Sequence, residues 1–293
     1  MVRKIILFTL TSIVLLTAKT IVFDIHGVLL KENIAGHVKQ KVVEYLEQHN
    51  NDTRGLRNSR PFQIYSSLLD IHQPLADLDM YYPESAPVPR ETYALFSGQI
   101  TPEELYNRVK KMLATAAFAN DLDRFMVETM VHTIFDREEF AKVLVPLTEG
   151  IAIFNTLINH TEHDVYILSN APREWIELYH DIYDDVFNRI PKERILTSSD
   201  AGFLKPEAEI FEYLEEKTNT PKEDIILIDD TPKNALGASN YGITGIHFDY
   251  ERIEEVLTEL QKHAIFSTEQ VHHVLQRINN NRTVLHDLDR TFF

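Results

Sequence analysis

Asp24 closes the apolar run Ile21-Val22-Phe23, and Gly27, three residues later, lets the backbone turn sharply. Ser169-Asn170 follows Val165-Tyr166-Ile167-Leu168, and Asp229-Asp230 follows Ile225-Ile226-Leu227-Ile228. Lys205 stands in Gly202-Phe203-Leu204-Lys205-Pro206. Together these carboxylates, a hydroxyl and an ammonium suit Mg²⁺ and a phosphate group. Mg²⁺ prefers oxygen ligands and keeps several waters, so few carboxylates suffice. A lysine and backbone N–H groups balance the phosphate charge. Because the residues are far apart in sequence, the chemistry requires a fold that gathers them.

The periodicities supply one. From Glu149 onward, helices alternate with short apolar strands: strands at 165–168, 195–197, 225–228 and 244–248, helices at 150–159, 173–187, 206–217 and 234–241. Alternating β and α elements imply a parallel sheet covered on both faces. The run at Ile21 belongs to the same sheet. In such a sheet all strand C-termini lie on one edge, so Asp24, Ser169 and Asp229 converge there. From 31 to 147 the pattern is helical. Residues 37–49 carry Val38, Val42, Val43 and Leu46 at helical spacing. Thr101-Pro102-Glu103-Glu104 is a capping box with proline at the first helical position, predicting a helix to about Ala119. Residues 122–135 and 137–145 continue as helices, and Tyr81 to Pro89, with three prolines in the run, is a loop. Residues 251–293 are helical, with a break at Asn279-Asn280-Asn281. The expected fold class is therefore α/β. A Rossmann-like, doubly wound parallel sheet (19–30 and 148–262) holds an α-helical cap (31–147) and carries a helical extension (263–293).

Composition narrows the function. The chain has 293 residues, 44% hydrophobic and 25% charged, with a formal net charge of −16 and no Lys/Arg-rich patch. An acidic surface argues against nucleic-acid binding and against anionic membranes. Cysteine is absent, which excludes disulfides, thiolate metal sites and a cysteine nucleophile. Met1 to Lys4 is basic and Ile5 to Ala18 largely apolar. This run is short of the ~20 residues of a membrane span and matches a secretory signal peptide over 1–18. Export is expected, with no membrane anchor after cleavage; retention in the cytoplasm is the alternative.

All these strand-end residues, in this order, resemble the haloacid dehalogenase superfamily: Asp24 with Gly27-Val28-Leu29; Leu168-Ser169-Asn170; Lys205-Pro206; and Ile228-Asp229-Asp230 followed by Asn234 and Gly237-Ala238. The similarity covers roughly residues 20–30 and 148–250, and points to the subfamily with a helical cap after the first motif. The resemblance implies a Mg²⁺-dependent phosphatase in which Asp24 attacks phosphorus and forms an aspartyl-phosphate. Gly27, Ser169, Asn170 and Lys205 would hold the phosphoryl group. Asp24, Asp229, Asp230 and the backbone carbonyl of His26 would hold Mg²⁺. A phosphorylated small molecule or phosphoprotein is the implied substrate, chosen by the cap.

The chain departs from the family at His26, where phosphatases carry a second Asp that protonates the leaving oxygen and then activates water. His26 could take over this acid/base role, since imidazole has an ordinary pKa of ~6.5 and two ring nitrogens; surrounding carboxylates would raise that value. Alternatively, the substrate is an aryl phosphate such as phosphotyrosine, because a phenol with a pKa of ~10 leaves with little protonation. A third reading is a catalytically impaired binding or regulatory protein. A dehalogenase also lacks the second Asp, but gains nothing from the concentrated charge of Asp229-Asp230.

Overall fold

The computed structural model describes residues 18–48, 88–118 and 120–291. The expected leader, apart from Ala18, and the loop residues Tyr81 to Pro87 lie outside them. Among the described residues seven strands follow in chain order: β1 (Thr20–Phe23), β2 (Leu30–Glu32), β3 (Leu144–Pro146), β4 (Asp164–Ser169), β5 (Ile195–Thr197), β6 (Ile225–Asp229) and β7 (Thr244–His247). Five form one sheet in the order β5-β4-β1-β6-β7, every neighbouring pair parallel. The strand alternation explains the two covered faces. Ile21 and Phe23 of β1 and Ile226 and Ile228 of β6 pack into one buried cluster. Val22, Ile225 and Leu227 pack into another on the opposite face. From β1 the chain winds outward to β4 and β5, then returns to β6 and winds the other way. The direction reverses between β1 and β6, the position where open α/β sheets leave a crevice for ligands.

Helices α1 (Ile34–Gln48), α2 (Arg90–Phe96), α3 (Pro102–Thr115), α4 (Asp121–Phe135) and α5 (Arg137–Val143) lie between β2 and β3. The first four contribute to their own buried cluster, which includes Val38, Val42, Leu95, Leu105, Val109, Met126 and Val131. The capping box at Thr101 is formed: Thr101 Oγ1 accepts from Glu104 N at 3.2 Å and Glu104 Oε2 accepts from Thr101 N at 2.8 Å. The helix it starts ends at Thr115, short of Ala119. Two anchors tie α2 to the sheet domain. Tyr93, fully buried, donates to Glu207, and Ser198 Oγ donates to Phe96 O at 2.6 Å.

Helices α6 (Thr148–His160), α7 (Arg173–Ile182), α8 (Ala208–Thr218), α9 (Pro232–Tyr241), α10 (Ile253–Lys262) and α11 (Thr268–Thr291) complete the fold. No helix among the described residues is long and apolar enough to cross a membrane. Several boundaries differ from the sequence reading. The helix at Arg137 stops at Val143, and Leu144–Pro146 is a strand antiparallel to β2. The helix at Arg173 breaks at Tyr183, whose hydroxyl donates to Leu144 O at 2.8 Å, and resumes over Asp184–Phe187. Pro206 precedes α8 by two residues, in a loop held where Glu207 Oε2 accepts from Leu204 N. Helix α11 runs through Asn279-Asn280-Asn281. Asparagine costs a helix interior only ~0.7 kcal/mol or less per residue, and Val274 and Ile278, buried on the core, hold the helix in place.

Gly150 lets α6 press against the turn that carries the site. A Cβ there would lie 1.7 Å from the Val28 carbonyl oxygen. Gly150→Ala is therefore expected to cost about 1–3 kcal/mol, the scale of an overpacked core, read as a lower urea midpoint with an unchanged slope. A neutral result would mean that α6 does not seat against Val28.

Candidate active site

The strand ends bring Asp24, His26, Gly27, Ser169, Asn170 and Asp230 to one cavity of about 310 Å³, with Lys31, Glu32, Thr231 and Asn234 completing its wall. Lys205 and Asp229 lie beneath, buried.

Lys205 organises the floor. Its ammonium donates to Leu168 O at 2.8 Å and Asp229 Oδ2 at 2.6 Å, and lies 3.1 Å from Asp24 Oδ1. Burial works against this charge, but Asp229 and Asp24 outweigh it and hold Lys205 above its ordinary range. Asn170, expected at the phosphate, lines the cavity and also grips the lysine backbone: Nδ2 donates to Lys205 O and Oδ1 accepts from Lys205 N, at 3.0 and 2.9 Å. It is a positioning residue.

The carboxylates divide in the same way. Asp229 Oδ2 is taken by Lys205, and Oδ1 accepts from Thr231 N and Asn234 Nδ2 at 2.9 and 3.0 Å. Asp24 Oδ1 accepts from Ile25 N at 2.7 Å and faces Lys205, while Oδ2 has no hydrogen-bond partner among the described residues. Burial raises Asp24 to about 6, with Lys205 opposing and Asp229 adding to the rise. Asp230 also rises to about 6, through burial and then the charges of Asp24 and Asp229. Gly27 packs against Asp230: it sits at φ +77°, and a Cβ would lie 2.0 Å from Asp230 Oδ2. His247 fixes the same turn, its Nε2 2.9 Å from Asp230 O.

Two observations bear on what the cavity can hold. Oxygens of Asp24, Asp229 and Asp230 lie within 4.8 Å of one another, a spacing suited to a divalent cation. Ser169 Oγ is buried with no hydrogen-bond partner. A buried hydroxyl left unpaired is costly, and a phosphoryl oxygen would satisfy it. The residues fit both groups.

His26 differs from the sequence reading. Burial lowers its pKa, and Glu32 and Asp230 do not make up for it. The expected upward shift is thus overturned: removing imidazolium from water outweighs the nearby carboxylates. Its Nε2 lies 2.6 Å from Tyr179 Oη and 3.3 Å from Glu32 Oε1. Tyr179 is fully buried, and burial holds its phenol well above 10, so it is a neutral hydroxyl. Nδ1 has no partner among the described residues. Tyr179, Glu32 and Lys31 were not legible as site residues. Tyr179 follows an ordinary helical apolar spacing with Trp175 and Ile176, and Lys31-Glu32 belongs to a strand too short to show a period.

Comparison with known proteins follows the same lines. A model of the haloacid dehalogenase-like hydrolases matches residues 18–242. The chain is 22% identical over 214 residues to the drimenol cyclase drtB of Aspergillus calidoustus; the match covers 67% of this chain and 36% of that protein, so the chain spans about a third of this curated relative. Among solved structures it is similar to a HAD family enzyme, bt-2542, of Bacteroides thetaiotaomicron. The TM-score is 0.50 and the identity 18%, over 82% of this chain and 98% of that one. The same enzyme in complex with magnesium and inorganic phosphate gives a TM-score of 0.47 at 18% identity, over 80% and 96%.

Proposed function

The chain belongs to the haloacid dehalogenase-like hydrolases, and from that premise we propose that it is a Mg²⁺-dependent phosphomonoester hydrolase favouring aryl phosphates. One observation carries the reading: Ser169, whose buried Oγ has no partner, lines the same cavity as Asp24, whose Oδ1 is held by a buried lysine.

Asp24 Oδ2 attacks phosphorus, the bond to the leaving oxygen breaks, and an aspartyl-phosphate forms. Lys205 holds Asp24 through Oδ1, keeping Oδ2 turned to the cavity, and Ser169 donates to a phosphoryl oxygen. Asp24, Asp229, Asp230 and the His26 carbonyl would hold Mg²⁺, which when bound offsets the phosphate charge. Asp229 also orients Lys205, whose ammonium donates to its Oδ2. Water then attacks the aspartyl-phosphate, giving its proton to His26 Nδ1 and restoring Asp24.

The lowered pKa of His26 supports the aryl preference. A ring that is neutral at pH 7 accepts a proton from water but is poorly supplied with one to give to an alkyl leaving oxygen. A phenolate needs little help.

The assay is turnover of p-nitrophenyl phosphate, phosphotyrosine and an alkyl phosphate with and without Mg²⁺. Asp24→Asn is expected to lose at least ~10³-fold, the scale of removing a nucleophile. His26→Ala should slow every substrate while sparing the preference for aryl esters. Turnover no higher than in Asp24→Asn would leave a binding protein in place of an enzyme.

A further inference from the structure

Lys31 is the one cation lining a cavity whose other charged walls are Asp24, Glu32 and Asp230, apart from His26. Among the described residues its ammonium makes no ion pair or hydrogen bond; it sits 5.9 Å from the centroid of the Tyr250 ring. Directly across the β2–β3 pair from Lys31 is Val145. Val145 and Tyr250, with Leu236, are the large apolar side chains exposed among the described residues, at 39% and 41%. Scattered exposed apolar residues carry no message. Here two of them flank the same cavity-lining lysine, and the lysine lies over one of the rings. The phosphoryl group belongs against Asp24 and Ser169; Lys31 forms part of the cavity wall, and Tyr250 and Val145, outside that wall, extend the surface beside the lysine toward solvent.

We propose that Lys31, Tyr250 and Val145 form a shelf for the leaving group, and that this group is an aromatic ring bearing an anionic substituent. The inference rests on the phosphatase reading above and narrows its substrate class. The ring packs on Tyr250 and Val145, where flat apolar surface is gained by stacking. The anionic substituent pairs with the ammonium of Lys31, which has no acid of its own.

The test compares ethyl phosphate, phenyl phosphate and 4-carboxyphenyl phosphate on the full chain with Mg²⁺. KM should fall along that series. Lys31→Gln is expected to raise KM for the carboxylated ester about two- to fivefold more than for phenyl phosphate, the scale of one exposed ion pair. Tyr250→Ala should erase much of the preference for phenyl over ethyl phosphate. An equal KM rise for all esters in Lys31→Gln would assign Lys31 to the phosphoryl group and overturn the proposal, as would unchanged KM ratios in both variants. Calorimetric binding of the matching phosphonates gives a readout independent of turnover. If no ester is hydrolysed, the phosphatase reading fails alone, and the phosphonate affinity ratios in wild type and variants decide the shelf.

Discussion

Lys205→Met is expected to lower folding stability by about 3–5 kcal/mol at neutral pH, the cost of stripping one partner from a buried ion pair, and to abolish activity. Lys205 lies between Asp24 and Asp229 with its ammonium shielded from water. Methionine fills similar space but leaves two buried carboxylates facing one another. Such like charges cannot both stay ionised cheaply, so one takes up a proton and the Asp24 nucleophile is lost. The deficit should therefore shrink at pH 5, where protonation is easier, and Asp229→Asn in the same chain should recover part of the stability but none of the turnover. Urea unfolding at both pH values checks the first claim, and p-nitrophenyl phosphate the second. A loss under about 1 kcal/mol at neutral pH would show that the triad is not the closed electrostatic unit its distances describe.

Mg²⁺ should raise Tm strongly at pH 7.5 and hardly at all at pH 5. Asp24 and Asp230 are raised from an ordinary 3.8 to about 6. A raised folded-state value means that the metal-free protein holds extra protons between about 4 and 6. These two groups therefore favour folding fully below pH 3.8, and that contribution is lost as pH rises through 6. At neutral pH the cost of burying these charges, with added repulsion from Asp229, opposes folding, and a divalent cation relieves it. Below 6 the cation must displace protons, so its apparent affinity should fall about tenfold per pH unit for each proton displaced. Thermal melts across pH with millimolar MgCl₂ or with chelator read this directly. Asp230→Asn should remove most of the Mg²⁺ response while leaving the fold intact. A Mg²⁺ shift that does not vary between pH 5 and 7.5 would place the ion elsewhere.

The sheet and its chemical edge were legible because β1, β4 and β6 are apolar runs that stop at polar residues. Ile225 to Ile228 is buried throughout, and Asp230, two residues on, lines the cavity. Thr101 shows the same for a local signal: its capping box depends only on neighbours in sequence and forms as expected. What escaped were features made through space. That Asn170 would take the backbone of Lys205, 35 residues on, as its partner depends on contacts no motif reports. The hold of Tyr179 on His26 joins residues from two elements with no sequence relation. The sign of the His26 shift depended on how much water burial removes, which no motif reports. Strands β2 and β3 are three residues each, too short for an alternation to register.

That short antiparallel pair has a consequence for how the molecule folds. The central sheet must join Thr20 to Asp164, an encounter between distant segments that loop entropy makes slow. Pairing Leu30 with Pro146 and Glu32 with Leu144 brings the two ends of the helical insert side by side. Once that clasp closes, the insert becomes a side loop and the path from β1 to β4 shortens to the residues outside it. Because closure entropy grows only with the logarithm of loop length, residues could be added to or removed from the insert at little kinetic cost. Weakening the clasp would delay the meeting of β1 and β4, and with it the arrival of Ser169 beside Asp24.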